Sequence, residues 1–124
     1  MIDLSSLNEN QREAVLWDNG PLLVLAGPGS GKTRVLTCRI ARILEQSAGQ
    51  HFRILALTFT NKAAAEMRGR VEELVPGELS RVRLTTFHSY AAELLQQHGN
   101  HLSFGPEFEI LSNEADREAL LDDV

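Results

Sequence analysis

Apolar and polar residues alternate along this chain in stretches that predict strands and helices in turn. The continuous apolar run "LLVLA" (22–26) and the run "RILALTF" (53–59) are typical of strands covered on both faces of a sheet. The stretch "RVRLTTF" (81–87) alternates apolar and polar positions, which places Val82 and Leu84 on one side of a further strand. We therefore expect strands in these segments.

Helical patterns occupy the intervals before, between and after these strands. A first helix follows Asn8, a good N-cap that stands three positions before Gln11 at capping-box spacing, and "DNGP" (18–21) closes it. A second helix runs from Lys32, and Gly49 is its expected stop. The apolar stripe of the second helix consists of Leu36, Ile40, Ile43 and Leu44.

The remaining segments extend the same alternation. The sequence predicts a helix over 61–75, another over 88–99 with Gly99 as its C′ residue, a short strand over 108–111 and a final helix over 113–123. The apolar side of the 61–75 helix carries Ala63, Met67, Val71 and Leu74. Strands that alternate with helices in this way predict an α/β fold, built on a parallel sheet flanked by helices.

Size and composition place the chain among ordinary globular proteins. With 124 residues, 43% hydrophobic and 23% charged, it is one domain or a piece of one. No apolar run approaches the roughly 18 residues of a membrane helix, and the first residues carry no signal-peptide pattern, so we expect a cytoplasmic protein without a membrane partner. The single cysteine, Cys38, excludes an internal disulfide and is expected to be a small buried hydrophobe.

Charge is distributed unevenly along the chain. Residues 1–70 carry nine Lys/Arg against six Asp/Glu, whereas residues 71–124 carry three against eleven. The net charge of −5 therefore gives no support for a nucleic-acid partner, although the first half could present a local basic surface. The acidic second half is more simply a solvated face.

The segment "AGPGSGKT" (26–33) stands between a predicted strand and a predicted helix, which is the context of a Walker A phosphate loop. Backbone N–H groups and the positive end of the helix dipole would converge there on phosphate oxygens. Gly29 and Gly31 allow backbone angles and close approach that a β-carbon would prevent. Lys32 would supply charge to the β- and γ-phosphates, and the Thr33 hydroxyl would ligate Mg²⁺.

Two positions of the loop depart from the commonest pattern. Ala26 stands where the motif usually starts with glycine, and Pro28 removes one N–H donor while stiffening the loop. The alternative to a nucleotide site is a glycine-rich turn with a chance GKT. We expect nucleotide contacts from Ala26, Gly27, Pro28, Gly29, Ser30, Gly31, Lys32 and Thr33.

Four ordered segments carry a resemblance to a known family. They are "LNENQREAV" before the loop, "TRVL" after it, "ILALTFTNKAAAEMRGRV" (54–71) and "LTTFHSYAAELL" (84–95). Together they closely resemble the N-terminal part of the superfamily 1 DNA helicases of the UvrD/Rep/PcrA type, whose Walker A motif characteristically begins with alanine. The resemblance implies an ATP-binding, P-loop, RecA-like domain, incomplete relative to a full motor domain, within residues 1–124.

The resemblance also implies how the base is recognised. Gln11 matches the family's Q-motif glutamine, whose amide reads the adenine edge and so favours ATP over GTP. Its alternative role is to cap its own helix, and the two roles compete for one amide. Arg34 matches the arginine that packs against the adenine ring, and a guanidinium plane suits that stacking better than an ammonium group would.

Two further motifs imply contacts with single-stranded DNA. Phe59, Thr60, Asn61 and Lys62 match motif Ia, at a strand-to-helix turn where hydroxyl, amide and N–H groups can hold phosphate without reading sequence. Phe59 would stack on a base or else pack in the core, and Lys62 would contact phosphate or be a solvated helix residue. The residues that match motif Ib are Thr86, Phe87 and His88.

Other parts of the family's site have no counterpart in this sequence. We find no acidic Walker B segment, no motif III and no arginine finger, and phosphoryl transfer depends on such groups. We therefore expect the N-terminal ATP-binding part of a 3′→5′ DNA helicase that needs the missing C-terminal domains to unwind DNA. DNA-stimulated hydrolysis by these residues alone at roughly 1 s⁻¹ or more would contradict this expectation. The alternatives are a stand-alone nucleotide-binding or regulatory module and, less well supported, a small P-loop kinase.

Overall fold

A computed structural model describes residues 2–103 together with Gly105 and Phe108. The elements of the described residues are α1 (Glu9–Leu16), α2 (Lys32–Gln46), β1 (Ile54–Thr58), α3 (Asn61–Leu74), β2 (Val82–Thr86) and α4 (Phe87–His98), with short 3-10 helices at Leu79–Arg81 and Gly99–Leu102. The chain divides into two compact units, Met1–Thr86 and Phe87–Val124. The strand predicted over 108–111 and the helix predicted over 113–123 lie outside the described residues, apart from Phe108.

The sheet of the first unit is small and parallel. Strands β1 and β2 pair in register from Ile54 opposite Val82 to Thr58 opposite Thr86, so both strands end at the same edge. Val82 and Leu84 are buried, as the alternating pattern predicted. Helices α2 and α3 pack against this sheet, because one core joins their apolar residues to those of the strands. The predicted mixed α/β architecture, with a parallel sheet flanked by helices, is confirmed.

The segment 22–26 is not a strand, which corrects the prediction made from its apolar run. Its side chains are exposed to solvent, Leu23 to 81% and Leu25 to 87%. A strand needs a neighbour whose N–H and C=O groups pair with its own, and in the described residues β1 and β2 pair with each other. An apolar run predicts that a segment tends to be buried, but it does not supply the partner.

Helix α2 buries two different sides, which explains why its predicted stripe was only partly right. Ile40 and Leu44 belong to the core with the sheet, whereas Val35 and Cys38 pack against α1 and the segment before it. Leu36, assigned to the stripe by its spacing, lies outside both clusters and is 38% exposed. Cys38 is the buried hydrophobe expected from the sequence, and burial raises the pKa of its thiol.

Two other helix details differ from the sequence prediction. On α3 the buried alanine is Ala64 rather than Ala63, and Leu74 is 38% exposed, because the core covers a slightly rotated face. Gly99 does not end α4 as a left-handed C′ residue. It opens the 3-10 helix instead, and the left-handed residue is Ser103, at φ 61°.

Arginines from α2 bind the C-terminal end of α1. The Arg39 Nη1 donates to the Ala14 carbonyl at 2.8 Å, and Arg42 donates to both carboxylate oxygens of Asp18 at 2.8 and 2.7 Å. Cations at this end of a helix satisfy carbonyls that have no intrahelical partner, and they interact favourably with the negative end of the helix dipole. These contacts fix α1 on α2, and therefore fix the position of Gln11 relative to the phosphate loop.

The Arg42–Asp18 pair predicts a dependence of stability on pH. The hydrogen bond from Arg42 lowers the pKa of Asp18 below its ordinary value. Because the folded pKa lies below the unfolded one, the pair stabilises the fold above the unfolded pKa and loses this effect as pH falls through the folded pKa. In urea titrations, the wild type should be more stable than Asp18→Asn at neutral pH, and the two should converge in acid. A difference that stays constant down to acid pH would contradict this assignment.

The C-terminal end of α2 is bound by one arginine from the 3-10 helix before β2. Arg81 donates to the carbonyls of Leu44 at 3.3 Å and Ser47 at 3.0 Å, and to the Ser47 hydroxyl at 2.7 Å. It also pairs with Glu78 at 2.9 Å and lies over the Phe52 ring, 5.2 Å from its centroid. Arg81 thus ties the end of α2 to the start of the second strand.

Candidate nucleotide and nucleic-acid sites

The N-terminus of α1 forms the capping box that the spacing of Asn8 and Gln11 predicted. The Gln11 backbone N–H donates to the Asn8 side-chain oxygen at 2.9 Å. In return, the Asn8 backbone N–H donates to the Gln11 Oε1 at 3.1 Å. These reciprocal bonds satisfy two N–H groups of the first turn and hold the Gln11 side chain against the start of the helix.

The predicted phosphate loop has the backbone conformation that its glycines allow. Gly29 and Gly31 have φ values of 73° and 81°, in the left-handed region that a side chain rarely adopts. Helix α2 begins directly afterwards at Lys32, and its first turn contains no acidic residue. The N–H groups of that turn have no partner within the helix, so they and the helix dipole favour an anion there.

Lys32 is held by the loop itself. Its ammonium donates to the carbonyls of Ala26 at 3.0 Å and Gly27 at 2.7 Å. The Ser30 hydroxyl donates to the same Gly27 carbonyl at 2.6 Å. An ammonium group bonds more strongly to anionic phosphate oxygens than to neutral carbonyls, so a phosphate group can take over these contacts.

Gln11 connects α1 directly to the phosphate loop. Its side-chain Nε2 donates to the Ser30 carbonyl at 2.9 Å. A β-carbon at Gly31 would lie 2.8 Å from that nitrogen, closer than real β-carbons come to another atom. Gly31 is therefore favoured by its positive φ, and its missing β-carbon lets the Gln11 amide stay where it lies.

A cavity of about 240 Å³ lies between α1, the segment 22–26 and the start of α2. It is lined by both Gln11 and Lys32, the two residues that the sequence predicted for base and phosphate contacts. Its polar lining comes from Asn8, Asn10, Gln11, Ser30 and Lys32. An amide is suited to hydrogen bonds with the edge of a base, and an ammonium group is suited to phosphate oxygens.

The structure does not bring Arg34 to this cavity. Its guanidinium donates to the hydroxyl of Ser6, in the segment before α1. Arg34 lines a separate cleft of about 400 Å³, together with Cys38 and Arg70. Stacking on a base in the Gln11 cavity would therefore require the Arg34 side chain to leave Ser6.

The turn after β1 carries the motif Ia residues at the predicted strand-to-helix position. Thr60 is the N-cap of α3, and its hydroxyl oxygen accepts from the Ala63 N–H at 3.1 Å. Asn61 and Lys62 follow on the first turn of α3 and are exposed. The turn thus presents a hydroxyl group, an amide and a helix N-terminus on the surface of the first unit.

Phe59 lies at the end of β1 with 85% of its surface exposed. The sequence left two interpretations of this ring, stacking on a base or packing in the core. Its exposure shows that the core-packing alternative is wrong. Proteins that bind single-stranded nucleic acids stack bases on exposed aromatic rings of this kind.

The motif Ib residues are divided between the two units of the chain. Thr86 ends β2 in the first unit and is only 6% exposed, so its side chain offers little surface. Phe87 and His88 open α4 in the second unit and are exposed, Phe87 to 46%. The surface available for binding at this motif therefore belongs mainly to Phe87 and His88.

Asn8 and Asn10 also line the cavity, although the sequence did not assign them to a ligand site. For Asn8 the capping-box spacing was a usable indication, because a residue that caps the helix of Gln11 must lie beside it. No pattern pointed to Asn10, whose place in the cavity depends on the way α1 packs on α2.

The described residues offer neither a metal cluster nor a membrane-spanning helix. Residues 2–103, Gly105 and Phe108 include no group of three or more His, Cys, Asp or Glu that could hold a metal ion. Over the same part of the chain, no helix is long and apolar enough to cross a membrane.

Comparison with known proteins identifies sequences similar to this chain. The UvrD/REP helicase N-terminal domain family matches residues 7–124. The ATP-dependent DNA helicase PcrA of Staphylococcus epidermidis is 43% identical over 121 residues, which is 98% of this chain. The protein of the same name from Staphylococcus aureus is 41% identical over 121 residues. The chain spans 16% of the length of each of these relatives.

Proposed function

The chain belongs to the UvrD/REP helicase N-terminal domain family, and we propose on that basis that it is the ATP-binding part of a P-loop, RecA-like motor domain. The observation that carries the proposal is that Gln11, whose side chain ends in an amide, and Lys32, whose side chain ends in an ammonium group, line one cavity. One group suits the edge of a base and the other suits phosphate oxygens. The name of the relatives, ATP-dependent DNA helicase, supports ATP as the nucleotide.

The loop residues fit a magnesium-bound triphosphate. The left-handed glycines at 29 and 31 leave room for backbone N–H groups to approach phosphate, and no carboxylate in the first turn of α2 opposes it. Lys32 exchanges its bonds to the loop carbonyls for bonds to the β- and γ-phosphates. The Thr33 hydroxyl is the proposed Mg²⁺ ligand, and Arg34 is the proposed contact to the adenine ring. Lys32 and Thr33 are therefore the proposed catalytic residues of this part of the site.

Substitution of Gln11 tests base recognition. Gln11→Ala is expected to lower the ratio of ATP to GTP affinity by about tenfold, because the hydrogen bonds from the side-chain amide that distinguish the bases are lost. Gln11→Glu retains an acceptor for the Asn8 N–H, and so retains the capping box, but it has no NH₂ group to donate. We expect it to lose the ATP preference as well. Equilibrium titration with fluorescent ATP and GTP measures both ratios.

Each result of this titration has a separate meaning. Loss of the preference in Gln11→Glu, with unchanged helix content, assigns the effect to the NH₂ group rather than to helix stability. If both variants kept the wild-type ratio, Gln11 would be only a capping residue.

For the turn after β1 we propose contact with single-stranded DNA. Thr60, Asn61 and Lys62 would hold backbone phosphates, and Phe59 would stack on a base. The exposure of the Phe59 ring supports this role. Phe87 and His88, with a smaller part for Thr86, are proposed as separate DNA contacts from their match to motif Ib.

Phe59 offers a direct test of DNA binding. Phe59→Ala is expected to weaken binding of a labelled oligothymidine by about tenfold at fixed salt, since a stacked base contributes about 1–3 kcal/mol. Phe59→Tyr keeps the aromatic face and should bind like the wild type, whereas Phe59→Leu is apolar without a π face and should behave like alanine. Fluorescence anisotropy measures all three. Equal affinities in wild type and Phe59→Ala would remove this residue from the DNA path.

The activity of the longer protein is also a proposal, because the chain spans 16% of its relatives. We propose that the complete protein translocates 3′→5′ on single-stranded DNA at the expense of ATP, in the cytoplasm. The remainder of the complete protein would supply the Walker B acids, the motif III glutamine and the arginine fingers. Because phosphoryl transfer relies on such positioned charges, the 124 residues alone would bind ATP without efficient turnover or unwinding.

A further inference from the structure

Both ends of the Gln11 side-chain amide are held by different parts of the chain. Its Oε1 accepts from the Asn8 backbone N–H at 3.1 Å, and its Nε2 donates to the Ser30 carbonyl at 2.9 Å. If the amide were turned over, its NH₂ group would face the Asn8 N–H, and its oxygen would face the Ser30 carbonyl. Two hydrogen bonds would become a donor–donor and an acceptor–acceptor contact, so the protein allows only one orientation.

In this orientation the amide oxygen and the amide nitrogen can each form one more hydrogen bond. An amide oxygen can accept two hydrogen bonds and an NH₂ group can donate two, and the protein uses one of each. Adenine presents an acceptor, N7, beside a donor, the N6 amino group, and so matches the remaining amide donor and acceptor. Guanine presents N7 beside the acceptor O6, which would meet the amide oxygen. A fixed amide thus favours adenine, whereas a side chain free to turn and swing away would spend only part of its time in the position that reads the base, and its selectivity would fall with that fraction.

We propose that Asn8 is a positioning residue for base selectivity, whose backbone N–H, together with the Ser30 carbonyl, locks the Gln11 amide in the orientation that reads adenine. This inference rests on the proposed role of Gln11 in ATP binding. It also changes the relation between the two roles that the sequence assigned to this amide. The capping bond and base recognition do not compete, because the first sets the direction in which the second operates.

The geometry around Asn8 supports this positioning role. The Asn8 side chain accepts from the Gln11 backbone N–H, which keeps the first turn of α1 in place beneath the amide. On the opposite side the Ser30 carbonyl accepts from the Gln11 Nε2 at 2.9 Å, and the missing β-carbon of the adjacent Gly31 leaves space for that nitrogen. The amide is therefore confined by the helix cap on one side and by the phosphate loop on the other.

Three substitutions of Asn8 separate its backbone N–H from its side chain. Asn8→Ser keeps both the N–H and a capping oxygen, and Asn8→Ala keeps the N–H but loses the capping oxygen. Asn8→Pro loses both, while the φ of −71° at this position suits the proline ring. The full chain would be titrated with fluorescent ATP, fluorescent GTP and pyrophosphate, with Gln11→Ala as the reference for complete loss of base reading.

The three Asn8 variants are expected to affect the ATP-to-GTP affinity ratio to different extents. Asn8→Ser should keep the wild-type ATP-to-GTP ratio, Asn8→Ala should lower it by about threefold at most, and Asn8→Pro should lower it by about tenfold, close to Gln11→Ala. Pyrophosphate affinity should stay constant, since the phosphate contacts are intact, whereas general unfolding would lower it too. The double variant Asn8→Pro/Gln11→Ala should show no loss of ratio beyond Gln11→Ala alone.

A second measurement does not depend on the folding of the proline variant. By NMR, hydrogen exchange of the Gln11 side-chain NH₂ should be slower than that of the exposed Gln50 in the wild type, and it should accelerate in Asn8→Ala. Equal hydrogen exchange at Gln11 and Gln50 would contradict the positioning role of Asn8. So would a wild-type ATP-to-GTP ratio in Asn8→Pro together with a lost preference in Gln11→Ala. Either result would leave the proposed function intact. A wild-type ratio in Gln11→Ala would overturn both.

Discussion

Lys32→Ala is expected to weaken ATP binding by about a hundredfold or more, while leaving the fold in place. The substitution removes charge-assisted hydrogen bonds to the phosphates, worth together about 3 kcal/mol, which corresponds to roughly a hundredfold in affinity. The fold should be affected far less, because Lys32 is exposed and its bonds go to two carbonyls of the loop itself. The free energy of unfolding should change by less than about 1 kcal/mol.

The chain contains a matched control for this experiment. Its two lysines are Lys32 and Lys62, and Lys62 is an exposed residue on α3 outside the phosphate loop. Lys62→Ala removes the same side chain and the same charge, so its ATP affinity should equal that of the wild type. Calorimetric titration of the three proteins with Mg-ATP makes the comparison. Equal ATP affinity in wild type and Lys32→Ala would show that the loop is not the nucleotide site.

Arg81→Ala should cause the largest loss of stability among the substitutions considered, about 3 kcal/mol. The Arg81 side chain is 17% exposed, and its guanidinium binds the Leu44 and Ser47 carbonyls at the end of α2. Removing it leaves those acceptors without their cation, at a cost of about 1–3 kcal/mol each where water cannot reach them. In the wild type the buried Arg81 Nε has no hydrogen-bond partner among the described residues. Removing this unsatisfied group in Arg81→Ala offsets part of the loss of stability.

Two companion variants identify which Arg81 contacts matter. Arg81→Lys keeps the charge but not the fork of donors, so it should retain only part of the stability. Glu78→Gln removes the salt bridge alone and should cost about 0.5 kcal/mol, because the Glu78 side chain is 38% exposed and ion pairs in contact with water contribute little. Urea unfolding gives the free energy for each variant. If Glu78→Gln destabilised the fold as much as Arg81→Ala, the ion pair rather than the carbonyl contacts would be the source of the stability.

Sequence reasoning succeeded where the determining interactions are local. The capping box at Asn8 and Gln11 depends on groups three positions apart, and the start of α2 depends on the glycines directly before it. The strands β1 and β2 were recognisable because each has its own apolar pattern and its own flanking breaks. The resemblance to the helicase family rested on motifs of the same kind, and the comparisons confirmed it.

Sequence reasoning failed where a segment depends on a distant partner. The apolar run 22–26 has a strand-like composition, but its side chains are exposed and it pairs with neither β1 nor β2. The stripe assigned to α2 omitted Val35 and Cys38, because one periodic face was assumed for a helix that packs on two sides. In both cases the pattern described a tendency to be buried without identifying the group that does the burying.

The sequence by itself determined the glycine-rich turn before α2, the capping box of α1 and the family of this protein, because each depends on residue types at short, fixed spacings. Only the tertiary structure decided that Gln11 reaches Ser30, nineteen positions away, and that Arg81 closes the end of α2, thirty-four positions from Ser47. It also decided that Phe59 is exposed rather than buried. Such contacts depend on which distant backbone groups packing brings together, and no local pattern of residues encodes that choice.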